Sequence, residues 1–180
     1  DLNTNTPIEP NPEIFLTWRI ECYYYPNFRQ FDFQYNNSLP LPINFCNFIN
    51  TIANSDPELI QRIWQAIGLL LTNDVTCKKI ILFQGVGNSG KSKLAEFIKT
   101  LMSNDSAIEL TFADFGEKFA LSNIPGRHLV CSMDLPYLPI SDFAASRLKS
   151  ISSGGSDEIS VEYKFQQKCS YKPEVQCLFG

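Results

Sequence analysis

Histidine is nearly absent: one residue, His128, in a chain of 180. Six cysteines occur, at 22, 46, 77, 131, 169 and 177, and none belongs to a CxxC pair. Both facts speak against a zinc site of ordinary ligand spacing. The wide spacing and the apolar neighbours of several cysteines read as reduced core thiols in a cytoplasmic setting, the host cell or a viral replication site. No apolar run approaches the ~18 residues that cross a bilayer. The N-terminal DLNTNTPIEPNP lacks the basic and apolar regions of a secretory signal. Nor is there a basic excess. Lysine and arginine number 15 against 19 acids, net −4, which excludes a protein that coats nucleic acid by bulk charge. It leaves room for locally placed lysines.

What remains is a globular balance, 44% apolar and 19% charged, enough for one core domain with a small appendage. Residues 1–38 read as a flexible or extended lead-in, with three prolines in the first twelve and an aromatic stretch from Tyr23 to Tyr35. Residues 39–74 read as a small helical domain. Its first helix spans 43–53. Its second is opened by Asp56 as N-cap, Pro57 in the first turn and Glu58 at the positive helix end. Leu59, Ile60, Ile63, Trp64 and Ile67 then recur at helical spacing to about Thr72.

From residue 75 to 180, short apolar runs alternate with helical segments. Strands are expected at Lys79–Phe83, Ile108–Phe112, Leu129–Met133, Ile159–Phe165 and Glu174–Phe179, with helices at Lys91–Met102 and Ser141–Ile151. That alternation predicts an α/β fold, a parallel sheet core flanked by helices. The chain starts at Asp1 and closes on the apolar VQCLFG, which reads as an interior piece of a longer protein whose core is incomplete at the C-terminus.

Between the first strand and its helix lies GVGNSGKS: Gly85, Val86, Gly87, Asn88, Ser89, Gly90, Lys91, Ser92. It fits GxxxxGK[ST], and the strand–loop–helix context is the one this motif requires. Glycines let backbone N–H groups curl round phosphate oxygens, and the helix start adds its positive dipole end. Lys91 would reach the β- and γ-phosphates of ATP, and the Ser92 hydroxyl would ligate Mg²⁺. Asp134 follows the strand in RHLVCSMDLP, at the carboxyl end where ligands bind in parallel sheets. It is the expected magnesium and catalytic acid. Leu135 and Pro136 follow it, where a second acid would be usual, so the water-activating base is either Asp134 itself or a residue elsewhere. His128 reads as structural.

The second half contains LKSISSGGSDEISVEYKFQQKCSYKPEVQCLF. It reads as a β-hairpin at about 157–175 with lysines near its tip, placed before the last strand. Such lysines suit a phosphate backbone and equally suit a solvated sheet edge.

Taken in order, the PxxF lead-in at 42–48, ELIQRIWQAIGLLLT, GVGNSGKSKL, PGRHLVCSMD and LKSISSGGSDEISVEYK resemble the superfamily 3 helicase domain of phage and plasmid primase-helicases, including poxvirus-type relatives. The likeness covers about residues 40–180. It implies an AAA+-type P-loop core behind a small helical domain. It also implies ATP-driven movement on single-stranded DNA as a homo-hexamer, with a possible primase domain upstream. By that resemblance Lys164 is the DNA-contacting hairpin lysine, with Lys168 beside it, and Gly85, Gly90, Lys91, Ser92 and Asp134 are the nucleotide and magnesium residues. The family's polar sensor would fall just past Gly180 and its trans-acting arginine later still. The expectation is therefore a helicase parent and a fragment that binds nucleotide weakly.

Two other readings stay open. A P-loop kinase for nucleotides or small molecules would want an arginine-rich lid, and the later half offers only Arg127 and Arg147. A non-catalytic remnant would bind no ATP–Mg²⁺.

Overall fold

The computed structural model describes residues 43–72, 74–103, 105–135, 137, 139–165 and 167–180. The predicted lead-in and aromatic stretch lie outside them. The chain divides into two compact units inside the second helix, between Ile63 and Trp64.

In the first unit, helix α1 (Ile43–Ile52) buries Ile49. Asn54 and Ser55 at φ 50° and 59° turn the chain out of it. Helix α2 (Pro57–Leu70) starts where expected. The Asp56 carboxylate accepts from the N–H of Glu58 at 2.9 Å and of Leu59 at 3.3 Å, satisfying two orphan donors of the first turn.

The second unit is a mixed α/β fold with a parallel sheet core flanked by helices. Its strands are β1 (Ile80–Leu82), β2 (Ala107–Glu109), β3 (Leu129–Ser132) and, passing over a hairpin, β6 (Gln176–Phe179). The sheet order is β1-β6-β3-β2, all parallel. The last strand in sequence thus lies inside the sheet. All four residues of β3 and of β6 are buried, which is why their runs are continuously apolar rather than alternating.

Helix α3 (Lys91–Thr100) follows β1, and helix α4 (Asp142–Ile151) follows β3. Ser141 caps α4, its hydroxyl accepting from Ala144 N–H at 3.2 Å. On one side of the sheet Val130, Cys177 and Phe179 join Phe115, Leu121, Ala144, Leu148 and Ile151 in a single apolar cluster. The Phe179 ring lies 5.0 Å from Phe112 and 6.2 Å from Phe115.

Two predicted strands need correction. The second is Ala107–Glu109, not Ile108–Phe112. Thr111 donates through both its N–H and its hydroxyl to Asp114, each at 2.7 Å, which ends the strand and starts the 3-10 turn Asp114–Gly116. The strand expected at Ile159–Phe165 is only β4 (Ile159–Val161), paired antiparallel with β5 (Cys169–Tyr171). Phe165 at φ 64° turns the chain, so Lys164 and Phe165 belong to the hairpin loop.

The loop before the hairpin is wedged against the segment leading into β1. Gly154 has φ 65°, and a Cβ on it would stand 2.4 Å from the Val75 carbonyl oxygen. Lys78 donates to the Ser156 hydroxyl at 2.9 Å, and Gln176 of β6 donates to the Asp74 carbonyl at 2.8 Å. Gly154→Ala combines a backbone clash with a left-handed penalty of ~1–2 kcal/mol, so a loss of about 2 kcal/mol or more is expected in urea unfolding. Gly87→Ala, with nothing within 4 Å, is the tolerated comparison.

His128 is structural, as expected. It is fully buried, and its Nε2–H donates to the Leu70 carbonyl at 2.7 Å, at the C-terminal end of α2. Burial pushes its pKa below the ordinary 6.5, with the Leu70 bond acting the other way. Below about pH 6.5 the unfolded chain therefore binds a proton that the folded chain refuses, and stability falls as pH drops, by up to about 1.4 kcal/mol per pH unit. The urea midpoint of His128→Gln should lack that component of the decline.

Candidate functional site

The register fixes which groups share an edge of the sheet. Leu82, Phe179 and Ser132 form one row across β1, β6 and β3. Gly85 comes three residues past that row on one strand and Asp134 two residues past it on another. The glycine-rich loop and the acid therefore emerge on the same carboxyl edge, separated by the width of one strand. At ordinary spacing that puts β1 and β3 about 10 Å apart. Between them β6 ends tightly: a Cβ on Gly180 would stand 3.1 Å from Phe83 O and 3.3 Å from Met133 Sδ.

The loop itself is a curl of backbone. Asn88 and Gly90 adopt φ 60° and 90°, and Gly90 is the N-cap of α3 with no side chain capping it. The first turn of α3 carries no acid, so its N–H groups and dipole are not neutralised from within. Lys91 folds back over the loop. Its ammonium donates to the carbonyls of Gly85 and Val86, both at 3.0 Å, and to the Ser89 hydroxyl at 3.4 Å. A Cβ on Gly85 would stand 3.1 Å from that hydroxyl. A cation inside a glycine curl at an uncapped helix start is an arrangement that fits an anion such as a phosphate chain.

Ser92 and Asp134 are both exposed. Among the described residues no group of three or more histidine, cysteine, aspartate or glutamate side chains could hold a metal ion. That donor set fits magnesium in one way only. Mg²⁺ keeps several waters and takes one or two protein oxygens together with substrate phosphates, rather than an all-protein cage.

The hairpin separates its lysines. Lys168 pairs with Glu162, and Lys118, from the segment after the first 3-10 turn, approaches the other oxygen of that carboxylate at 3.5 Å. The Lys168 bond, more than the charge of Lys118, holds the Glu162 carboxyl below the usual range. Lys172 pairs with Glu158 at 3.7 Å. Lys164 is the hairpin lysine without an acid partner among the described residues, and its ammonium lies 5.3 Å from the centroid of the exposed Phe165 ring. The Glu162 node was not foreseen. Its lysines lie 44 residues before it and six after it, a spacing that neither helix nor strand periodicity connects.

Both later arginines are occupied. Arg147 donates to the carbonyls of Phe115 at 3.0 Å and Glu117 at 2.7 Å and lies over Phe143. Arg127 donates to the Asp105 carbonyl.

Fold and site together describe an α/β domain with an anion-fitting loop on one strand and an acid one strand removed. Residues 83–180, more than half of the chain, match a family described as a family of unknown function, DUF5906, and the chain belongs to that family. The matched span takes in the loop, Asp134 and the hairpin. No curated protein matches the chain.

Among solved structures the chain is similar to the apo structure of the NrS-1 C-terminal region 305–718, at 14% identity and a TM-score of 0.62. That match covers 78% of this chain and 33% of the other. An A-form apo structure of the same C-terminal region matches at 13% and 0.61, again over 78% and 33%. The chain thus spans about a third of the length of these structures, and at such identity the likeness speaks for the fold.

Proposed function

We propose that this domain is the ATP-binding motor of a DNA helicase of the superfamily 3, AAA+ type, from a viral or plasmid replication protein. The observation that carries the reading is the common edge: GVGNSGKS and Asp134 flank the end of β6, and the lysine-bearing hairpin runs directly into β6. In this reading the loop N–H groups and Lys91 bind the β- and γ-phosphates. Ser92 and Asp134 would hold Mg²⁺, which neutralises charge on those oxygens. Asp134 also orients or accepts a proton from the attacking water. Lys164 contacts the phosphates of single-stranded DNA threaded through a homo-hexameric ring. An arginine that completes such sites is worth ~10³–10⁵ in rate. Arg127 and Arg147 are both tied to backbone carbonyls, so neither is placed to serve as that arginine.

The same occupied arginines count against the kinase alternative, which needs mobile guanidinium groups over two phosphates.

Calorimetry with ATP–Mg²⁺ tests the loop. Lys91→Ala should weaken binding about ten-fold or more, the worth of one charge-assisted hydrogen bond. Asp134→Asn should keep nucleotide binding yet lower turnover about a hundred-fold or more in the assembled protein. Lys164→Ala should keep nucleotide binding and lose stimulation of turnover by single-stranded DNA. An intact protein that binds no ATP–Mg²⁺ would favour the remnant reading instead.

A further inference from the structure

Among the described residues the buried polar side chains are Ser106, His128, Gln176 and Ser132. The first three lie at the amino ends of their strands, and each has a partner. Ser106, just before β2, bonds the Ser103 hydroxyl. His128, just before β3, donates to the Leu70 carbonyl at 2.7 Å. Gln176, the first residue of β6, donates to the Asp74 carbonyl at 2.8 Å. Ser132 differs in both respects. It is the last residue of β3, at the carboxyl end, and is 1% exposed. Its hydroxyl has no hydrogen-bond partner among the described residues. Its backbone is in use, because its carbonyl accepts from the Gly180 N–H at 3.0 Å. Even the thiol of Cys131, one residue earlier and on the opposite face, donates to the Ile108 carbonyl at 3.6 Å. The face that Ser132 shares carries Val130 two residues before it and Phe179 opposite it, both members of the apolar cluster. A hydroxyl buried beside such groups without a bond costs stability, so folding alone does not account for it.

We propose that Ser132 is the positioning residue for Asp134. Alternation carried two residues on puts Asp134 on the same side of the strand as Ser132. Two residues rise about 7 Å, a span that a serine hydroxyl and an aspartate carboxylate close when they lean toward each other. The hydroxyl donates to one carboxylate oxygen and leaves the other for Mg²⁺, which fixes the direction in which the acid points. Carboxylates that hold a metal are themselves hydrogen-bonded in this way. Asp134 is exposed, so the bond forms as the acid turns in over the edge of the sheet in the loaded site. The inference rests on the reading of Asp134 as the magnesium acid, and adds to it a residue that no motif covers. Its only mark in the sequence is a serine interrupting the apolar run of LVCSMD.

Urea unfolding of the intact protein at saturating ATP, repeated over a range of free Mg²⁺, tests it. The quantity read is the free Mg²⁺ that gives half of the cation's rise in midpoint. Without nucleotide, Ser132→Ala should unfold at the parent's midpoint or above it, because an unbonded hydroxyl is removed. With ATP it should need about ten-fold more Mg²⁺. Asp134→Asn should raise that requirement at least as far, and adding Ser132→Ala to it should change nothing more. Should Ser132→Ala fold poorly, Ser132→Cys, which keeps the volume and offers only a weak donor, takes its place. If Asp134→Asn raises the Mg²⁺ requirement and the Ser132 variants do not, the Asp134 reading stands and the positioning role is wrong. A Ser132→Ala variant that loses stability without nucleotide and needs no more Mg²⁺ than the parent makes the hydroxyl structural and overturns the proposal. Additive effects of the two substitutions overturn it as well. If Asp134→Asn leaves the requirement unmoved, or the parent's midpoint does not respond to ATP–Mg²⁺, both readings fall.

Discussion

Insertion of the last strand between β1 and β3 is the constraint on which this domain depends. Gln176–Phe179 hydrogen-bonds on both sides, with Cys177 opposite Ile80 on one and Val130 on the other. Without it, β1 would have no partner among the described strands, and the glycine loop would hang from an unsupported end. With it, the loop and Asp134 are held one strand apart on one edge. The spacing is then fixed by backbone hydrogen bonding rather than by side-chain packing, which tolerates far more variation. The close fit at Gly180, between Phe83 and Met133, shows how little room this pairing leaves where the ends converge.

The same strand ties the hairpin to the sheet. Ile159 and Val161 of β4 are buried in one cluster with Val175, Cys177 and Phe179. The return limb of the hairpin passes from Tyr171 to β6 in four residues. Close-packed interiors have little slack. A displacement of the hairpin base therefore acts on Phe179 directly, and Phe179 ends one residue before the crowded position between the loop strand and the acid strand. Gly154 adds a second tether, since its contact with Val75 holds the loop before the hairpin against the chain that leads into β1. The glycine loop and the hairpin are in this way joined by contiguous packing, a geometry that would suit the chemo-mechanical exchange of the proposed function better than two independent surfaces would.

Much of this was legible in the sequence. The strand–loop–helix at 80–100 could be read because its signals are local: an apolar run, glycines and a helical period, all within about twenty residues. The α2 cap was readable for the same reason. The errors came where local side chains overrode the pattern. Ile108-Glu109-Leu110-Thr111-Phe112 has strand composition, yet Asp114 draws Thr111 into a turn and leaves Phe112 to pack on Phe179. Ile159 to Phe165 alternates like a long strand, but the chain turns at Lys164 and Phe165. Strand order could not be read at all, because nothing in VQCLFG states which neighbours it will choose.

Charge was the least legible property and the most instructive. A net charge of −4 and a hairpin in which acids and lysines are mixed do not tell which charges will pair. The fold sorts them. Glu158 takes Lys172, and Glu162 takes Lys168 and Lys118, while Lys164 has no acid partner among the described residues and Lys91 is turned onto carbonyls inside its own curl. Exposed pairs such as Glu158–Lys172 contribute little to stability, ~0–1 kcal/mol each. Their physical consequence is selectivity. A pair on the surface exchanges its carboxylate for a phosphate at small cost, whereas an unpaired lysine already presents its full charge. In the proposed function such an arrangement would let an acidic domain confine its attraction for a strand to a few positions rather than spread it over the whole surface.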